Sequence, residues 1–286
     1  KVFPIVPVVK QSDRYFVYDK KAWFRSNARK RAPGTESAGG GFTVDNTPNY
    51  FCDVDAFHQD VPDQLRANAD QPLDLDRDAT MLVTQQMLLK REVDFTNKYL
   101  AVSTWNGHAD FTPATKWDAS GSDPLKDIDN LKASIKGKSA FMPNTMIVST
   151  DVLFALRNNA LILERIKYTQ RGIISEDLLA SLFGVEKFLV SSVVIDNNPE
   201  GQATSMSFLT TKSFLLVYAN PAPSILQPSG GYIFSWQGMF GAGAQGNRIM
   251  TFRMEQLKSD RIEGEMAYDM KLIGADLGCF GTAVLT

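Results

Sequence analysis

Histidine and cysteine are nearly missing from this chain: each occurs twice among 286 residues. Cys52 and Cys279 stand far apart, so no disulfide framework is available, and free buried thiols in a reducing compartment are expected. A Ser-His-Asp or Cys-His site would have to use His58 or His108, and neither is accompanied by a GxSxG elbow. Cys52, Asp53 and Asp55 are the neighbours a histidine-bound metal would need. Strand alternation sends Cys52 and Asp53 to opposite faces, and no CxxC or HxxxH spacing occurs. The residues therefore point to no metal, cofactor or catalytic group. Long apolar runs are absent too: none reaches the ~18 residues of a membrane span, and nothing reads as a signal peptide, which predicts a soluble protein with no membrane partner. Internal repeats and low-complexity segments are also lacking.

Apolar residues make up 44% of the chain and aromatics 10%, ample for a packed core and enough chain for two domains. The net charge of −2 conceals two opposed blocks. Residues 1–31 carry nine basic side chains against Asp13 and Asp19, a net of +7, and residues 32–80 carry ten acids against Arg66 and Arg77, a net of −8. Such blocks serve either as solvated faces or to match one copy of the chain to the next.

Residues 74–103 contain no Gly or Pro and read as one long helix. Ala79, Leu82, Leu89, Val93 and Leu100 recur at helical steps, and Met81, Leu88 and Phe95 widen the stripe, so one broad face is expected to be buried. Asp74, Asp76 and Asp78 at the start and Lys98 near the end suit the helix dipole. Upstream, residues 1–10 are apolar but broken by Pro4 and Pro7, the pattern of an extended arm. Residues 20–62 read as a long hairpin with a glycine-rich end, too thin to bury a core by itself. Extended outward, this hairpin would offer one face to a neighbouring copy. Lys20, Lys21, Arg29, Lys30 and Arg31 would then contact Asp53, Asp55 and Asp60 between subunits.

Beyond the long helix, Asp123 or Ser122 caps a helix that opens on Pro124, with Leu125, Ile128, Leu131 and Ile135 inward. A strand over residues 145–148 and three short helices follow, the last running from Ser175 to a Gly184 stop. Residues 187–195, 207–218, 232–236, 249–254, 265–273 and 281–285 read as strands, the last of them expected to return and cover the long helix. Two motifs mislead. Gly241-Ala-Gly-Ala-Gln-Gly246 matches GxGxxG, but a strand rather than a helix follows, so no dinucleotide site is expected and a small-molecule enzyme using this loop is disfavoured. Residues 174–185 resemble the first half of a helix-turn-helix, but the β-branched run after them cannot supply a recognition helix.

The run Pro143-Asn144-Thr145-Met146-Ile147-Val148-Ser149, followed by Leu156, Leu163-Glu-Arg-Ile166, Gly172, Leu179-Ala180, Phe183-Gly184-Val185 and Val190, resembles the A-domain signature of tailed-bacteriophage major capsid proteins with the Hong Kong 97-type fold. The order of parts agrees with that family. The resemblance implies an α+β chain with an N-terminal arm at 1–19 and an E-loop hairpin at 20–62. It further implies a P domain with the spine helix at 63–121, an A domain at 122–240 and returning P-domain strands at 241–286. It implies a structural protein, not an enzyme. Pentamers and hexamers would tile an icosahedral shell in the virion, assembled in the host cytoplasm around double-stranded DNA that is contacted without sequence preference. Portal, scaffolding or decoration proteins would be further partners. An encapsulin-type nanocompartment shares the fold and is the alternative.

Overall fold

The computed structural model describes residues 2–18, 20–70, 72–167, 174–222, 228–240 and 246–286. Gly172 of the signature and positions 241–245 of the glycine-rich loop lie outside the described residues.

The long helix, α3, runs Leu75–Tyr99. At about 1.5 Å per residue that is roughly 38 Å. Asp74 caps it, its side chain accepting from the Arg77 amide at 3.2 Å. Its far end is tied down by Tyr99, whose hydroxyl donates toward the carbonyls of Tyr232 (3.2 Å) and Lys271 (3.1 Å). The buried face differs from the expected stripe: Ala79, Val83, Met87 and Tyr99 are buried, whereas Met81, Leu82 and Leu88 face outward and Leu89 and Val93 are only half-buried. Steps of four residues from Ala79 mark the true seam, and the bulkier aliphatics sit on the opposite face.

That seam lies on a five-stranded sheet ordered β1 (Ile5–Val8), β12 (Gly231–Trp236), β14 (Ser259–Leu272), β13 (Asn247–Met254), with β6 (Asp53–Pro62) also paired to β14. β14 is the organiser: it pairs antiparallel with β6 and β13 along its first part and with β12 along its last. Val61, Ile262 and Met266 meet Ala79, Val83 and Met87 in one cluster. Full burial of Val83 and Met87 contributes about 1.5–3 kcal/mol each. Gly264 permits the close approach, since a Cβ there would sit 2.7 Å from Val83 Cγ1. The expected return of late strands onto the helix is met by β14. The N-terminal segment finds its partner inside the same chain: β1 pairs parallel with β12, and Phe3 is buried against Phe95, Tyr99 and Trp105.

A second sheet, β15 (Gly278–Gly281), β11 (Phe214–Val217), β7 (Thr145–Ser149), β8 (Lys187–Ser191), is covered by α4 (Pro124–Ser139), α5 (Thr150–Asn158), α6 (Ala160–Ile166) and α7 (Glu176–Phe183). Local chemistry sets the helix ends here as expected. Asp123 caps α4, Ser175 caps α7, and Gly184 at φ +56° ends α7 in the left-handed region that a Cβ disfavours. β12 belongs to the first sheet and β15 to the second, so the chain crosses between the sheets more than once. Trp105, Ile147, Leu215, Ile233 and Met270 share one cluster that joins the two sheets.

Candidate functional site

The residues most suited to chemistry are dispersed. Cys52 is buried beside Tyr50 and Phe234, its thiol pushed up to about 12 by burial, while Asp53 next to it is exposed. His108 is buried in a different region, with Nε2 3.2 Å from the Asp276 carbonyl and Nδ1 3.4 Å from Ser134 Oγ. Burial, and then the nearby Lys138 and Lys20, hold His108 below its ordinary value. His58 lies exposed on β6. Among the described residues no three His, Cys, Asp or Glu side chains gather as metal ligands would.

What the chain does present is a projecting hairpin whose base packs on β12 through Tyr15, Tyr50 and Cys52 and whose outer part has no core of its own. β2 (Ser12–Arg14) pairs with β5 (Asn49–Phe51), and β3 (Val17–Tyr18) with β4 (Val44–Asp45), forming two short ribbons with the four-residue helix α1 (Lys20–Trp23) in the outgoing arm. Residues 24–43 beyond them hold no strand or helix. Phe24 is 61% exposed, and the Trp23 and Phe42 rings pack 5.8 Å apart while remaining half-exposed. Such aromatics next to cations are a composition that protein interfaces favour. A third ribbon, β9 (Val194–Asp196) with β10 (Met206–Phe208), is separate from the second sheet, with Met206 and Phe208 exposed.

The sequence-predicted contact residues divide into two groups. Arg29, Lys30 and Arg31 are exposed on the hairpin with no acidic partner among the described residues, and Asp53 is likewise exposed. The Lys21 side chain lies outside the description. The others have partners in their own chain: Lys20 with Asp276, Asp55 with Lys90 at 3.8 Å, and Asp60 with Arg261 through bonds of 2.7 and 2.9 Å. Arg261 holds the Asp60 carboxyl below the usual range.

Sequence reasoning missed an ionic corner. α2 (Asp63–Ala67) packs where β13 turns into β14, and there Arg253 grips Asp63 with two bonds (2.7 and 2.6 Å). Arg66 reaches both Asp260 (2.7 Å) and Asp76 (2.6 Å). These partners are up to 194 residues apart, and no local pattern signals them. α8 (Gln237–Phe240) follows directly on β12, with Arg248 lying 5.2 Å over the Phe240 ring.

This architecture, a long helix on a sheet with a projecting hairpin and a second α/β unit, is the Hong Kong 97-type capsid fold. A crystal structure of a phage-related protein from Bordetella bronchiseptica superimposes with TM-score 0.73 at 22% identity, covering 99% of this chain and 90% of that one. The capsid of cyanophage P-SCSP1u matches at TM-score 0.65 and 9% identity, covering 99% and 87%. An encapsulin complex from Synechococcus elongatus fits less well, at TM-score 0.56 and 14% identity over 98% and 85%. By sequence, the family model of phage major capsid protein E matches residues 105–195. The chain is 23% identical over 284 residues, 97% of its length and 88% of the relative, to the major capsid protein of Burkholderia phage BcepMu. These comparisons show the fold that the chain shares with phage capsid structures, and a sequence likeness to phage major capsid proteins.

Proposed function

We propose that this chain is a phage major capsid protein that self-assembles into pentamers and hexamers of an icosahedral shell around double-stranded DNA. The observation that carries this reading is the correspondence of element order and fold with a phage capsid along 99% of the chain. The hairpin supports it, because its exposed aromatics, and Arg29, Lys30 and Arg31 with no acidic partner among the described residues, suit a contact between subunits. The role is structural rather than catalytic. The hairpin acts as the E-loop, α3 and the first sheet as the P domain, and the second sheet with its helices as the A domain. Shell assembly takes place in the host cytoplasm, with portal, scaffolding or decoration proteins as partners and DNA contacted without sequence preference.

The test is to express the chain and examine it by sedimentation and negative-stain microscopy. Closed particles of uniform size are expected, together with a folded but unassembled product when residues 24–43 are replaced by a short linker. The encapsulin alternative is separated by particle content: nucleic acid favours the phage reading and a defined protein cargo the alternative.

A further inference from the structure

We propose that the chain carries a binding site for a small amphiphilic carboxylate, built between α3 and the first sheet where β13 begins. Two adjoining cavities meet there. The larger, about 350 Å³, is walled by Met87, Leu88, Ile249 and Met266, with Arg91 and Asn247 among its polar lining. The smaller, about 10 Å³, shares Arg91, Asn247 and Met266 with it and reaches Ser235 and Tyr268. The first has the size of a small-molecule site and the second takes a single water-sized group.

Two polar groups in this place lack partners. Arg91 is half-buried and makes no hydrogen bond or ion pair among the described residues. The carboxylates of the region are engaged elsewhere: Glu265 by Arg248 (2.6 and 3.2 Å), and Asp94 by Lys90 (2.6 and 2.7 Å) and the Tyr268 hydroxyl (2.6 Å). Ser235 on β12 is 2% exposed, and its hydroxyl has no hydrogen-bond partner. The strand register sets Ser235 opposite Tyr268, and Gly246 passes so close that a Cβ there would overlap Ser235 Oγ. Burying a hydroxyl in this way is destabilising. A ligand oxygen in the small cavity relieves it and the lone guanidinium together.

The class of ligand follows from the charges and the walls. One cation is unpaired, which matches a singly charged carboxylate; a phosphate dianion would bring a second charge with no counterpart next to Glu265 and Asp94. The guanidinium fork suits the two oxygens of a carboxylate. One of these oxygens enters the small cavity and accepts from Ser235 Oγ. The hydrocarbon body then lies on Met87, Leu88, Ile249 and Met266, where burial of its methylenes adds affinity. All the parts belong to one subunit, so the site does not depend on assembly.

Isothermal titration calorimetry on the full chain tests the site, with octanoate as probe, octanol as an arm that carries only the tail, and inorganic phosphate as an arm that carries only the charge. Octanoate should bind saturably at one site per chain, with octanol and phosphate about tenfold weaker or more. Arg91→Gln should weaken octanoate about tenfold or more. Ser235→Ala should weaken it several-fold while leaving the thermal unfolding of the ligand-free chain unchanged or raised, a pairing that a merely structural hydroxyl would not give. Octanol binding as tightly as octanoate, octanoate binding unaltered by either substitution, or saturable phosphate in place of octanoate would each overturn the proposal. Binding of none of the three would mean that the small cavity holds water only, and would overturn it as well.

Discussion

The packing of α3 on β14 through Gly264 can be tested by a double-mutant cycle. Val83 is fully buried, and a Cβ added at Gly264 would lie 2.7 Å from Val83 Cγ1 and 3.2 Å from Met87 Cγ. Val83→Ala removes two buried methyls and should destabilise by about 2 kcal/mol. Gly264→Ala overpacks the seam at a cost of about 1–3 kcal/mol, offset in part by about 0.4–1 kcal/mol from the stiffer unfolded chain. In the double variant the new methyl occupies the space the valine methyls vacate. The two costs should therefore fall short of additivity by about 1 kcal/mol or more. Equilibrium urea unfolding of the unassembled chain, followed by the fluorescence of buried Trp105 and Trp117, measures all four corners. Additivity within about 0.5 kcal/mol would mean that helix and strand do not meet at this register.

Cys52 and Cys279, with thiols pushed up to about 12 and about 11 by burial, should resist thiol reagents at mildly alkaline pH until the chain unfolds; labelling of the native protein would contradict their placement. Because His108 is held below its ordinary value, the unfolded state binds more protons, so stability is complete above about pH 6.5 and is lost as pH falls toward the folded value. His108→Gln should flatten that limb in unfolding measured from pH 8 to 5. Asp63 is depressed chiefly by its bond to Arg253, so its contribution is present above the unfolded carboxylate value of about 3.9 and disappears below it. Arg253→Met should give a shallower acid limb, and an unchanged limb would show the corner to be without effect.

Much of the fold was legible because it is locally determined. Asp123 as a cap, Pro124 at a helix start and the Ser175 to Gly184 span all act within a few residues. The hairpin was legible through what it lacked, a core of its own. The face of α3 was misjudged because Met81, Leu82 and Leu88 fit a helical period as well as Ala79, Val83 and Met87 do, and hydrophobicity alone does not distinguish a face covered by the same chain from one left open. The arm reads as extended, but nothing in its prolines reveals that Gly231–Trp236 accepts it as a parallel neighbour. Non-local pairing hid the rest: Asp60 meets Arg261 across 201 residues, and β15 crosses to the second sheet. Of the acids expected to face a neighbour, Asp55 and Asp60 have partners in their own chain, which charge without geometry does not reveal, whereas Asp53 is exposed.

Electron microscopy of the purified full-length chain, with image classification of the particles, tests the central claim most directly. Closed icosahedral shells built of five-fold and six-fold rings, with the hairpin of each subunit lying on its neighbour, are the predicted result. A monodisperse monomer at high concentration, across varied salt and pH with the hairpin intact, would contradict it.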